Sequence, residues 1–194
     1  MGKMKLRNDF EMLRDHCIII RRDFNTYNDL FFSGFDDLLT KAASTFFNDI
    51  AEIMQRDWVL QVCKLMDSAI TKRDGKVLEN ISIKLINSQL VNEGLMSKEI
   101  SSISDSILAY GKNIIPARHK RLAHFDREHQ ICGIVLGATT EKELEDFLEN
   151  IQKYCDAVGR AVGLGPLDFA GSSCSGDVHD LLKVLRNYYS HIKC

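Results

Sequence analysis

Apolar residues recur along this chain at steps of three and four, and almost nowhere at steps of two. Phe10, Leu13, Cys17, Ile20, Phe24, Tyr27 and Phe31 form one continuous stripe at that spacing, which predicts an amphipathic helix over residues 8–32. Ser33 and Gly34 interrupt it. A second helix follows, with Phe35, Leu38, Leu39, Ala42, Phe46, Phe47, Ile50 and Ile53 expected inward. Asp57 has the chemistry of an N-cap for a third, carrying Trp58, Val62, Leu65, Met66 and Ala69. The polar run Thr71-Lys72-Arg73-Asp74-Gly75 is a turn signal. Ile81, Ile83, Leu85 and Ile86 then open a shorter helix, although the brief alternation of Ile81, Ile83 and Leu85 also fits a strand.

In the second half, Ser97 and Glu99 start a helix through residue 113, with Ile100, Ile103, Ile107 and Leu108 inward. Pro116 has a fixed φ and no N–H, which suits the first position of a new helix. Residues 131–139 are apolar and glycine-bearing, as expected of a packed connector. Thr140 and Glu143 have the spacing of a capping box, so a helix is expected over residues 141–162, stopped by Gly163-Leu164-Gly165-Pro166. Residues 165–176 are small and polar, the composition of a mobile loop. A last helix, residues 177–192, would face inward with Leu181, Leu182, Leu185, Tyr188, Tyr189 and Ile192. Long helices, two prolines and no internal repeat predict an all-α, up-and-down helical bundle. It is treated as one domain over residues 1–194, with a C-terminal loop and helix from about residue 164.

Composition narrows the function classes. Hydrophobic residues make up 45% and charged residues 27%, ordinary for a soluble protein. The formal charge of −2 excludes a chain that is cationic throughout, so nucleic-acid binding would need a local patch. Six cysteines (Cys17, Cys63, Cys132, Cys155, Cys174 and Cys194) lie far apart with no C-x-x-C pair, which suggests free thiols in a reducing cytosol. No apolar run approaches the roughly 20 residues that span a bilayer. The basic start is not followed by an apolar stretch, so no signal peptide is expected. The expectation is a soluble cytoplasmic protein with no membrane partner.

Chemistry is densest in residues 116–129, where three histidines, four cationic side chains and two carboxylates crowd together. On a helix His124 shares a face with Lys120 and Arg121, whereas Arg118 is turned roughly 120° away. Arg118 and His124 would converge if the helix is irregular, or if two copies pack across a symmetric interface. His124 could then act as general base or acid on a ribose 2′-hydroxyl while Arg118 stabilises charge on the phosphate. Lys120 and Arg121 would hold neighbouring phosphates, and Asp126 would orient an imidazole or pair with Arg127. The same composition also describes a solvated basic helix with incidental histidines. A second candidate pair, Arg186 and His191, has four intervening residues but sits in the last turn, where the helix dipole alone favours cations. His119, His124 and His129 are spaced by five and do not share a face, so neither a metal nor another cofactor is expected. Gly163-Leu164-Gly165 lacks the strand–helix context of a dinucleotide loop, and there is no P-loop.

The segment Arg118-His119-Lys120-Arg121-Leu122-Ala123-His124-Phe125-Asp126 resembles the R-x-K-x-x-A-H-x-D signature of the AbiU-like branch of the HEPN superfamily. The similarity extends upstream through Tyr27-Asn28-Asp29-Leu30-Phe31, Phe46-Phe47 and the run from Leu60 to Asp67, and covers about residues 10–160 in order and type. The resemblance implies an α-helical fold, a homodimer, and a shared metal-independent ribonuclease site of the kind found in prokaryotic phage-defence and toxin–antitoxin systems. By that resemblance Arg118 and His124, here with five residues between them, are the catalytic pair, and Lys120 and Asp126 their companions. RNA, a second copy of the chain and a cognate antitoxin protein are the implied partners. The other expectation is a non-catalytic member that binds RNA, nucleotide or protein.

Overall fold

The computed structural model describes residues 2–118, 139–171 and 174–191. Among them are six helices and one antiparallel hairpin: α1 (Gly2–Phe31), α2 (Asp36–Leu65), β1 (Ile70–Arg73), β2 (Lys76–Glu79), α3 (Ile83–Asn92), α4 (Lys98–Ala117), α5 (Glu141–Ala161) and α6 (Val178–His191). The all-α assignment holds. Among the described residues no helix is long and apolar enough to cross a membrane.

Local chemistry sets most helix ends. Ser82 accepts the Leu85 N–H at 3.3 Å to start α3, and Ser97 accepts the Ile100 N–H at 3.1 Å to start α4. The expected capping box opens α5: Thr140 Oγ1 accepts the Glu143 N–H at 3.2 Å, and the Glu143 carboxylate accepts the Thr140 N–H at 2.7 Å. The Thr140 donors hold the Glu143 carboxyl below its ordinary pKa. At the other end Gly163 takes a positive φ of 77°, which a side chain would oppose. The Leu164 N–H then reaches back to the Gly159 carbonyl at 2.7 Å.

The main core lies where α1, the C-terminal half of α2, α3, α4 and α5 meet. Leu6, Phe10, Leu13, Cys17 and Ile20 of α1 are buried at steps of four and three, so the stripe starts earlier than expected and α1 begins at Gly2. Phe147 of α5 stacks on Tyr110 of α4 at 4.4 Å and meets Trp58 of α2 edge-on at 6.2 Å. Trp58 Nε1 donates to the Ile20 carbonyl at 3.1 Å, fixing α2 against α1. A buried polar chain crosses the same core. Tyr154 Oη donates to Asn87 Oδ1 at 2.8 Å, Asn87 Nδ2 donates to Ser104 Oγ at 2.9 Å, and Ser104 Oγ donates to the Ser101 carbonyl at 2.9 Å. Each member has a partner, so the network links α5, α3 and α4 without an orphaned group. A smaller cluster of Leu30, Leu39, Phe47, Val178 and Leu182 joins the far ends of α1 and α2 to α6.

Several expectations are corrected. Asp57 caps nothing: α2 runs unbroken past it, and its carboxylate accepts from Gln61 Nε2 one turn on. The break in α2 comes instead at Ala43, whose backbone leaves the helical region. Phe46 and Ile53 are exposed, because a helix face wide enough to hold all eight of the inward residues expected there would exceed what α1 and α6 can cover. On α6, Leu181 and Tyr188 are exposed for the same reason, while Val178 and Leu182 are buried. The 71–75 turn belongs to a hairpin that periodicity missed. Asp74 and Gly75 both adopt positive φ, 51° and 74°, the pattern of a tight two-residue hairpin turn. Pro116 does not begin a helix; it lies in the last turn of α4, which continues because Ile114 and Ile115 extend the buried face of Ile107 and Tyr110 past Asn113. The stretch after α5 is anchored rather than mobile where it is described. Phe169 is buried, its N–H donates to Gln152 Oε1 at 3.1 Å, and Asn25 Nδ2 donates to the Ala170 carbonyl at 2.9 Å.

Two tests follow from this packing. A Cβ on Gly111 of α4 would lie 2.5 Å from Cγ of the buried Met66, so the missing side chain lets α2 and α4 approach. Gly111→Ala gains about 1 kcal/mol of helix propensity but forces a packed thioether to relocate, at roughly 1–3 kcal/mol. Net destabilisation of about 1 kcal/mol is expected in chemical denaturation, and a stabilised protein would contradict the close approach. His16 Nε2 donates to the Gln61 carbonyl at 2.9 Å, and burial lowers its pKa below the ordinary 6.5, with Lys64 acting in the same direction. The unfolded chain therefore takes up this proton at higher pH than the folded one. Between those two values the unfolded state holds more protons, so stability falls as pH drops from about 6.5 through the folded pKa. His16→Gln should flatten that part of the melting-temperature profile; an identical profile would remove His16 from the linkage.

Candidate functional site

Arg118 stands at the C-terminal end of α4 with helical dihedrals of −56° and −50°, and its N–H points to the Ile114 and Ile115 carbonyls. Its Nη1 donates to Asp67 Oδ1 at 3.0 Å. Asp67 lies two residues past the end of α2, its own N–H turned back to the Lys64 carbonyl at 3.3 Å. The two side chains are 26% and 39% exposed, so the pair is neither a fully wet surface contact nor a desolvated one. Guanidinium and carboxylate hold each other in place at the end of the two helices.

The helices bring these groups together for reasons already visible in the core. Val62 and Leu65 of α2 and Met66 at its C-cap pack with Ile107, Tyr110 and Ile114 of α4 in the main cluster, and Gly111 removes the obstacle between them. Cys63, one turn before Asp67, is buried in this joint. Burial pushes its thiol pKa up, Asp67 adds to the effect, and Arg118 opposes it. Burial and a raised pKa both disfavour the thiolate form that a nucleophilic cysteine needs.

Of the sequence-derived candidates, Lys120, Arg121, His124 and Asp126 lie outside the described residues, as do His119 and His129. Arg186 and His191 are both described and exposed on α6. The Arg186 guanidinium lies over the Phe35 ring at 4.5 Å from its centroid, a cation–π contact. His191 is five residues on, about 140° around an ideal helix, so the two side chains do not share a face. Among the described residues no group of three or more His, Cys, Asp or Glu side chains is arranged to hold a metal ion. A largely apolar cavity of about 220 Å³, walled by Phe24, Tyr27, Trp58 and Leu144, has Asp23 and Gln55 as its polar lining residues and contains neither Arg118 nor Asp67.

Asp67 is the residue that sequence reasoning did not assign a role. Its signal was weak: one carboxylate at the first polar position after the Leu65-Met66 apolar end of α2, 51 residues before its partner.

The family model described as AbiU2, a HEPN model, matches residues 3–192. No curated protein and no solved structure matches the chain. The family match spans nearly the whole chain, including every described helix and the Arg118–Asp67 joint. This chain therefore belongs to the AbiU2 family of HEPN domains.

Proposed function

We propose that this protein is a metal-independent endoribonuclease of prokaryotic phage defence, active as a homodimer. The observation that carries the reading is the Arg118 guanidinium, fixed by Asp67 at the end of α4 and partly exposed, six positions before His124 in an AbiU2 chain. A positioned, permanently charged guanidinium suits a phosphodiester, because charge grows on the non-bridging oxygens as the phosphorus is attacked.

In this mechanism the His124 imidazole takes the proton from a ribose 2′-hydroxyl. The 2′ oxygen bonds to the adjacent phosphorus, the bond to the 5′ oxygen breaks, and the imidazolium returns a proton to that leaving oxygen. The products are a 2′,3′-cyclic phosphate and a 5′-hydroxyl. Arg118 neutralises the developing charge, and Lys120, Arg121 and Asp126 hold the strand and orient the imidazole. Two copies of the segment after α4, related by a two-fold axis, form the cleft, and a cognate antitoxin protein would act by covering it.

A second reading is favoured by the same ion pair. A guanidinium already compensated by Asp67 also suits a non-catalytic module that binds RNA, nucleotide or protein. Incubating the purified protein with total RNA and EDTA separates the two. Fragments with cyclic phosphate ends are expected; RNA binding without fragments establishes the module. His124→Ala should abolish cleavage with the helical circular dichroism intact. Arg118→Ala should lower kcat by about 10²- to 10³-fold. Unchanged cleavage in either variant, or a strictly monomeric active protein, refutes the shared site.

A further inference from the structure

We infer that the β1–β2 hairpin is an RNA-backbone clamp, a surface that grips strand flanking the Arg118 end. The inference rests on the ribonucleolytic reading for the identity of the polyanion. It begins from the placement of charge. Residues 72–76 carry Lys72, Arg73 and Lys76 against one carboxylate, Asp74, in a chain whose net charge is −2. Asp74 reaches Arg73 only at 3.8 Å, with side chains 80% and 90% exposed, so this contact neutralises little. The other hairpin carboxylate, Glu79, is engaged elsewhere by Lys5 of α1 at 2.6 Å.

The register sharpens the point. Arg73 pairs directly with Lys76, and Thr71 with Leu78, so two cations stand side by side on one face of the ribbon. Like charges directly opposite destabilise a strand pair. Nothing in the fold requires this one, because all eight strand residues are exposed. An anion between Arg73 and Lys76 would remove the repulsion. Thr71 carries a hydroxyl and Leu78 an exposed aliphatic side chain on the same face, while Lys72 and Val77 stand on the opposite face of the ribbon.

Position links the patch to the candidate site. β1 begins three residues after Asp67, the partner of Arg118. Asn80 braces the base of the ribbon, donating through Nδ2 to the Ser68 carbonyl and to Thr71 Oγ1, each at 2.7 Å. From Asp67 to Arg73 is six residues, a reach of at most about 20 Å. A strand held at both places would pass along the hairpin and present a phosphate several nucleotides away to Arg118. Edge lysines also discourage strand-to-strand aggregation, and that role predicts no loss of RNA affinity when they are neutralised.

The test uses the full chain and a labelled single-stranded RNA, with binding followed by fluorescence anisotropy at several salt concentrations. Lys72→Gln/Arg73→Gln/Lys76→Gln is compared with a charge-matched control, Lys84→Gln/Lys153→Gln/Lys183→Gln, on exposed sites elsewhere. The hairpin variant should bind roughly 10- to 100-fold more weakly near 0.1 M salt, with the slope of log K against log salt reduced by about 2. Wherever cleavage is measurable its KM should rise while kcat holds. The control should bind like the parent. Equal losses in both variants, no RNA binding by the parent, or an unaffected hairpin variant that merely aggregates would each overturn the clamp. So would equally tight, hairpin-dependent binding to vesicles containing phosphatidylserine. If the parent binds RNA through the hairpin yet leaves it intact, the clamp stands and the nuclease reading falls.

Discussion

The contact between the end of α2 and the end of α4 is the constraint on which the described part of the candidate site depends. Gly111 lets Met66 lie against α4, and the two helices then finish side by side. Asp67 and Arg118 are the first polar residues beyond that apolar joint able to meet, and they do so at 3.0 Å. A buried pair would have to overcome a desolvation cost of several kcal/mol per ion, and a fully exposed one would contribute little. Partial exposure avoids both extremes, leaving a guanidinium oriented by the fold and only partly desolvated. Orientation here comes from packing several residues away, because the carboxylate's position is inherited from Val62, Leu65 and Met66.

The core beneath the joint combines two kinds of constraint. Phe147 between Tyr110 and Trp58 supplies apolar burial with defined ring geometry. The Tyr154–Asn87–Ser104 chain adds directional bonds, and burial keeps the Tyr154 phenol protonated by raising its pKa well above the ordinary value. Apolar contacts alone tolerate sliding of one helix along another; hydrogen bonds between three helices do not. Cys17 and Cys155 fill the same interior, with the Cys155 thiol held protonated by its contact with Cys17 and by burial.

What could be read beforehand divides by range. The Ser97 and Thr140 caps and the Gly163 stop were legible because each acts within one turn of chain. Asp57 misled because a carboxylate that can cap a helix is equally able to bond one turn along its surface. The hairpin escaped notice although Asp74-Gly75 is a strong turn signal. Its strands bury neither face, so no alternation of apolar and polar residues marks them. Pro116 suggested a helix start, but the Ile107, Tyr110 and Ile114 seam outweighed a single missing N–H near the helix end. At the site, Arg118 was visible as chemistry, whereas Asp67 became meaningful only through a tertiary contact.

The satellite cluster of Leu30, Leu39, Phe47, Val178 and Leu182 has an implication for how the molecule comes apart. It is small, shares no buried member with the main core, and secures α6 with few apolar anchors. Opening that end would expose little surface, so its amides should exchange with solvent by a sub-global route while Tyr154 and Phe147 stay packed. Two unequal cores among the described residues set up a gradient of local stabilities, and one melting temperature would describe only the larger of them.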